Sequence, residues 1–459
     1  MTFSDKKILN ILAGTANEYS LFSQYNIHIK KLFIDIYNFK TRVILNMVEQ
    51  RKERENMTKQ KKAMVILAIG AFTSSIYDAA QNLLAYIAND YPTVDYLTVV
   101  SLMSVPSMAS LIVALLNGPL SMKISKKLLM IIYMVASCVS MFGFALVGAN
   151  GPFALLMGAA IINGLGSGGR NPLQNTLVSE YIDPEKQASF IALSSALANC
   201  GMAVCNFLFG AVGSGDGGAN WPYAFYIGAA LSIVSLAAVC FLPGTEKVKG
   251  EATEKEKKGL NLNGWKPYRV LAMMILLGIF LIGYSAFTLN VSNYIIVEHQ
   301  LGTAAEAGVA STIMTISGML IGFSYSIWGK VFKDWTAAAG FIFAIFGLCG
   351  MLFLTNSLIG IYLCGFCIGI GLNLVTPFGV AKIMAECPQH IVALAMSVFT
   401  GINFLSVFAA PYILNGIGKM LDSGSSGMAI VGIGVFVIGV VLSAVLFGLH
   451  KEVQNESIG

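Results

Sequence analysis

Two ionisable side chains stand deep inside apolar stretches of this chain, Asp78 and Arg170. Charge in such surroundings is costly and points by default to a functional site. Helical spacing gathers Ser74, Asp78, Gln81 and Asn82 on one polar face. It also gathers Asn163, Ser167, Arg170 and Gln174, at i, i+4, i+7 and i+11, into a second stripe. The chemistry these types offer is recognition and proton exchange. A guanidinium matches the fork of a carboxylate, which makes Arg170 a contact for an anionic group. Asp78 suits proton coupling or contact with a cation. An alternative for Arg170 is snorkelling: it stands about 8 residues, or about 12 Å at the helical rise, from one end of its stretch. By the same rise the two groups differ in depth by about 10 Å, so a direct ion pair does not follow.

The second half offers neutral candidates instead. They are Tyr284, Thr288, Asn290 and Asn293 in one stretch, Asn373 and Thr376 in another, and Asn403 in a third. Abundant Phe, Tyr and Met suit an apolar solute, and suit lipid contact and packing at least as well. Other chemistries find no support. The sequence contains no phosphate-binding GxxxxGK[ST], no HExxH and no GxSxG, so nothing indicates an enzyme. The four His are scattered, and the eight Cys lie in or beside apolar runs. Cys364 and Cys367 have no His nearby and read as small buried residues, not as a metal or redox pair. No cofactor and no metal are expected.

The elements that carry these residues follow from composition. Of 459 residues, 56% are hydrophobic and 12% charged, where a soluble domain carries about 25% charged. The mean hydropathy is +0.71. This excludes an ordinary cytosolic enzyme, a disordered protein and a nucleic-acid-binding module. It predicts an all-α polytopic membrane protein. A span needs roughly 20 apolar residues. Twelve stretches qualify, near 63–89, 96–120, 127–149, 153–178, 187–211, 221–242, 269–297, 306–329, 336–355, 358–383, 391–417 and 428–449. The longest polar break, 243–268, contains the charge run Glu254 to Lys258 and divides them six and six.

Orientation follows from Lys and Arg. Of the 29 in the chain, nine precede Met57. Of the rest, all but Lys419 and the intramembrane Arg170 fall on one side of a twelve-span chain. That side is expected to be cytoplasmic and to hold both termini and the central linker. The expected location is the cell membrane, the inner membrane if the source is bacterial.

The halves repeat. Gly164-Leu-Gly166, Pro172 and Glu180 recur as Gly369-Ile-Gly371, Pro377 and Glu386, at offsets of 205, 205 and 206. Lys123-Ile-Ser-Lys126 recurs as Lys330-Val-Phe-Lys333 at an offset of 207. One offset shared by independent features argues for a duplicated six-helix unit. Two such units can rock about a site at their interface, and small residues such as Gly210 and Gly416 permit close helix contact.

With those residues in view, the chain resembles the major facilitator superfamily over 57–459. The family's loop signature G-x-L-x-D-R-x-G-R-K corresponds to Gly118-Pro-Leu120-Ser-Met122-Lys123-Ile-Ser125-Lys126-Lys127. The Gly, the Leu and the basic positions match, while Met122 replaces the Asp that helps latch the family's cytoplasmic gate. The segment Asn163-Gly164-Leu-Gly166-Ser-Gly168-Gly169-Arg170-Asn-Pro172 also matches, with Asn163 in place of a frequent Arg. The resemblance implies two pseudo-symmetric six-helix bundles and alternating access. It implies a central cavity lined by the stretches holding Asp78 and Arg170, and gating loops at Gly118, Lys123, Lys126, Lys127, Lys330 and Lys333. The expected organisation is an extension 1–56, a bundle 57–242, a linker 243–268 and a bundle 269–459.

The expected function is secondary active transport of a small organic solute by a monomer in the lipid bilayer, coupled to protons and without nucleic acid. Drug efflux and organic-anion uptake both fit. A non-transporting sensor or a lipid flippase is the reading from another class. Segment 27–50 reads as an amphipathic surface helix. The preferred reading of the extension, however, is that translation starts at Met57. Met57-Thr-Lys-Gln-Lys-Lys leads straight into the first span, and Lys52-Glu53 can be encoded as a bacterial ribosome-binding sequence.

Overall fold

The computed structural model describes residues 59–243, 267–354, 357–387, 392–421 and 424–448. The chain separates into a unit Met1–Ala63 and a unit Met64–Gly459. The helices, apart from the first turn of one, belong to the second unit. The extension 1–56, the linker's charge run and His390 lie outside the described residues.

The first six helices are α1 (Lys59–Asp90), α2 (Tyr96–Lys123), α3 (Lys126–Val147), α4 (Phe153–Tyr181), α5 (Pro184–Gly213) and α6 (Trp221–Cys240). The second six are α7 (Tyr268–Glu298), α8 (Ala304–Phe332), α9 (Thr336–Phe353), α10 (Leu358–Glu386), α11 (Val392–Leu421) and α12 (Ser425–Ser443). Eleven are long and apolar enough to cross a membrane. The twelfth, α4, has the length, at 29 residues. Its polar stripe dilutes its hydropathy, as expected of a helix that faces an aqueous interior. No strand occurs among the described residues. This is an all-α polytopic membrane fold.

Local chemistry sets several helix starts. The Asp95 carboxylate accepts from Leu97 N at 3.2 Å before α2, and Ser125 Oγ accepts from Leu128 N at 3.3 Å before α3. Thr303 and Glu306 form a capping box at the start of α8. The repeat is visible in the backbone. Helix α4 runs from 153 to 181 and α10 from 358 to 386, an offset of 205 at both ends, with Pro172 and Pro377 inside. Gly164 and Gly369 show why that motif needs glycine. A Cβ on Gly164 would stand 2.2 Å from Pro106 O on α2, and one on Gly369 would stand 2.0 Å from Met314 O on α8.

Each half has its own apolar core. In the first, Phe144 stacks on Phe225 with centroids 4.6 Å apart. In the second, Phe280, Phe341 and Phe436 pack against one another. Across the halves α5 packs on α8 and α2 on α11. Large side chains such as Leu146, Phe346 and Phe353 project outward, where a bilayer solvates them.

The sequence predicts regular helices at both α1 and α7, and the structure breaks both. In α1, residues 73–76 form a turn, Tyr77–Leu83 a 3-10 helix and Leu84–Asp90 an α-helix. The Thr73 hydroxyl donates to Ile69 O at 3.1 Å, and Ser74 N reaches back only three residues, to Ala71 O at 3.0 Å. A Thr-Ser-Ser run offers the backbone such alternatives to the helical ladder. In α7 the ladder fails at Leu289–Asn290, where Asn290 N bonds Phe287 O at 3.1 Å and its side chain donates to Ala286 O at 2.9 Å. At the repeat offset of 207 the end of the 3-10 stretch, 82–83, maps onto 289–290, so the breaks coincide there, while the 73–76 turn maps onto 280–283, which is regular helix.

Candidate solute cavity

The breaks border a cavity between the halves, made of two adjoining chambers. One, of about 240 Å³, is lined by Asp78, Ser110, Asn163, Ser167 and Arg170, among others. The other, of about 200 Å³, is lined by Asp78, Gln81, Met202, Tyr284, Ser285 and Thr288, among others. Asp78, Met103 and Val407 belong to both. The α1 break thus turns the Asp78 carboxyl into the space where the chambers meet, and Asp78 is exposed to it.

Arg170 does not snorkel. It is 5% exposed, and Nη2 donates to Gly70 O on α1 at 3.2 Å while Nη1 lies 3.8 Å from Met134 Sδ. The reason lies in the turn at Thr73. Once Ser74 N bonds Ala71 O, the carbonyl of Gly70 is free of its usual helical donor, and Arg170 supplies another. Gln174, one turn further along, donates to Leu67 O at 3.3 Å and is not among the residues that line the chambers. The stripe read as a binding surface is therefore divided: Asn163, Ser167 and Arg170 line the first chamber, Gln174 does not, and Arg170 and Gln174 both tie α4 to α1. Asp78 and Arg170 share a chamber, and no ion pair joins them among the described residues.

Asn82 departs furthest from its expected place. It is fully buried outside the cavity and joins three helices. Its Nδ2 donates to Asn206 Oδ1 at 3.1 Å, and its Oδ1 accepts from Ser311 Oγ at 2.7 Å. Its carbonyl accepts from Ser292 Oγ at 2.9 Å. The 3-10 stretch has turned it off the face shared with Asp78. With Tyr86, whose hydroxyl accepts from Ala304 N at 3.2 Å, this network ties the halves together near the 91–95 and 299–303 loops. Asn206, Ser292 and Ser311 are not among the residues that the sequence pattern points to. An Asn in the apolar second half of α5 is the available signal, since a buried amide needs partners.

The remaining candidates divide likewise. Tyr284 and Thr288 line the second chamber. Asn290 is buried and bonds its own helix. Asn293 donates to Glu298 Oε1 at 2.8 Å beside a separate surface pocket with Asp95 and Lys419. Asn373 donates to Gly369 O at 3.2 Å on α10.

The segment read as a gating loop is mostly helix: α2 continues through Gly118 to Lys123, and Lys330 lies in the last turn of α8. Lys126 pairs with Glu180 at the end of α4. Lys127 Nζ donates to Leu242 O at 2.7 Å. Lys123, Lys330 and Lys333 are exposed. The repeat-related acid Glu386 pairs instead with Arg269, at 3.6 Å, and Lys382 with Asp334 at 3.0 Å.

Known proteins place this arrangement. Among curated proteins none matches the chain. Among solved structures, the nucleoside transporter NupG superposes with a TM-score of 0.69 at 14% identity, covering 84% of this chain and 100% of that one. A peptide transporter POT in complex with sulfate gives 0.69 at 14% identity, covering 85% of this chain and 94% of that one. The same transporter type with alafosfalin gives 0.70 at 13%, covering 84% and 95%. Likeness at such identities concerns the fold alone. The sequence profile of the Major Facilitator Superfamily matches residues 65–411, well over half of the chain. With that match, and with twelve helices in two repeated sets among the described residues and a cavity between them, this chain belongs to the Major Facilitator Superfamily.

Proposed function

We infer that this transporter moves a small organic solute by alternating access and draws on a proton gradient. The observation that carries the reading is the cavity between the halves, with the Asp78 carboxyl exposed where its chambers meet. A lone carboxyl at such a place can hold a proton or release it to the cavity. The halves 57–242 and 269–459 are the rocking bodies, and 243–268 joins them. The network around Asn82 is a closure at the end holding the 91–95 and 299–303 loops. The solute then enters from the opposite end, which the Lys/Arg distribution places in the cytoplasm with both termini. No feature of the cavity favours a sensor or a flippase.

The test is flux through the full chain in proteoliposomes under an imposed pH gradient, screened over labelled organic solutes. Accumulation that follows the gradient is expected. Asp78→Asn should abolish it while membrane insertion persists. Gradient-driven accumulation by the Asn variant would remove the coupling role, and accumulation indifferent to the gradient would remove the proton.

A further inference from the structure

We propose that the solute is a small organic cation, an amine or quaternary ammonium with an apolar body and a hydrogen-bond acceptor close to the charge, held in the chamber between Asp78, Gln81 and Tyr284. This rests on the transporter reading above and names its substrate class.

The charge argument starts from availability. Arg170 is the residue type that invites an anion; Nη2 donates to Gly70 O, Nη1 meets Met134 Sδ at 3.8 Å and Nε has no partner, so what decides is its place. It lines only the first chamber. Asp78 lines both and is exposed. The second chamber therefore presents a carboxylate with no Lys or Arg on its wall. An anion there meets repulsion and finds no free guanidinium fork; a cation meets its complement.

The second observation is independent of charge. Gln81 is 6% exposed, lines this chamber, and its Nε2 has no hydrogen-bond partner. A buried donor left unsatisfied is costly until an acceptor arrives. The opening beside it is where a ligand can supply one. One helical turn separates Asp78 from Gln81, which sets the charge and the acceptor of the ligand a short distance apart. Beside the hydroxyls of Ser104, Ser285 and Thr288, the wall has an apolar and pliable part: Met103, Met202, Leu281, Leu289 and Val407. Methionine adapts to irregular shapes, and Tyr284 adds an aromatic ring, whose face attracts cations.

The test works with the solute still unidentified. Met202→Cys, with Leu281→Cys as a second site, places a thiol in the chamber of the full chain. Its modification is followed by mass spectrometry on the peptide that carries it. The reagents are trimethylammonioethyl and sulfonatoethyl methanethiosulfonate, each rate referred to that with a free thiol. The cationic reagent should be favoured by about tenfold, the preference expected of one nearby charge in a wet cavity. Asp78→Asn should erase that preference. 2-Phenoxyethylamine should protect the thiol and 3-phenoxypropionate should not. Gln81→Leu should weaken protection by 2-phenoxyethylamine while leaving that by 3-phenylpropylamine, which lacks the acceptor. Equal or reversed rates, a preference that survives Asp78→Asn, or protection by the propionate or by neither probe overturns the proposal. Thiol rates do not depend on turnover, so loss of gradient-driven flux with the preference intact condemns the transport reading alone.

Discussion

Helices α4 and α10 have the same length, the same register and a proline at the same position, yet they do different work. Both lie against a neighbour through a glycine, Gly164 on α2 and Gly369 on α8. Where α4 carries Arg170, α10 carries Val375, 1% exposed and packed against Gly340. The same asymmetry holds in the broken helices, where Asp78 of α1 corresponds to Ser285 of α7 at the offset of 207. Duplication has kept the scaffold and confined the intramembrane charge to one half. Rocking needs two matching bodies; recognition needs only one charged wall and one complementary neutral wall.

Placing the charge on the wrong half should break this comparison most severely. Val375→Arg has neither a freed carbonyl nor room, and an unpartnered Arg at a helix centre costs about 2.5–3.5 kcal/mol on insertion. The expected outcome is loss of folded protein, seen as a missing monodisperse peak in size-exclusion chromatography. A normal yield would show that α10 can hold a charge as α4 does.

Removing the charge from α4 should do less. Arg170→Ala leaves Gly70 O with one donor fewer, at a cost of about 1–3 kcal/mol, read as a lower Tm in detergent. Arg170→Lys should recover part of it, because an ammonium can still donate to that carbonyl. Full stability of the Ala variant would return Arg170 to a purely recognitional role.

The shared scaffold can be probed at Gly308. A Cβ there would stand 2.4 Å from Asn206 O across the α5–α8 contact. Gly308→Ala should loosen the closure around Asn82 and raise, by a few-fold, the labelling of Met202→Cys from the side of the 299–303 loop. Unchanged labelling would mean that this contact does not hold the closure.

The smallest effect is expected at the ends of α4 and α10. Lys126→Ala removes an exposed pair with Glu180, and such pairs contribute about 0–1 kcal/mol. Its effect on Tm should be near the limit of detection and should shrink further in high salt. A large shift would give the Lys126–Glu180 pair a structural role beyond that of a surface ion pair.

Much of the fold is legible in the sequence because it is written in averages. Span lengths, the Lys distribution and the 205-residue offset survive small local departures. The cavity is legible only in part. Asp78 stands out because a carboxyl in an apolar run is conspicuous. Asn82 falls elsewhere because a shared helical face presumes 3.6 residues per turn, and the run from Thr73 breaks that rule before Asn82 is reached. Arg170 reads as available because its partner is a backbone carbonyl, which has no signature in a sequence. The Asn206–Asn82–Ser311 chain escapes notice because its members are small, common residues more than a hundred positions apart.

In the proton-coupled cycle proposed above, the presence of Asp78 and Arg170 in one cavity would also set how membrane voltage acts. With both ionised, the empty cavity carries no net charge, and its reorientation moves none through the field. A proton on Asp78, or an organic cation beside it, leaves one net positive charge in either case. Each loaded step by itself feels about 2.3 kcal/mol per 100 mV. In a one-for-one exchange the two loaded steps run in opposite directions and their voltage dependences cancel. Such a carrier responds to the ratio of proton concentrations and is blind to the resting potential, so it would keep its full capacity in a depolarised membrane.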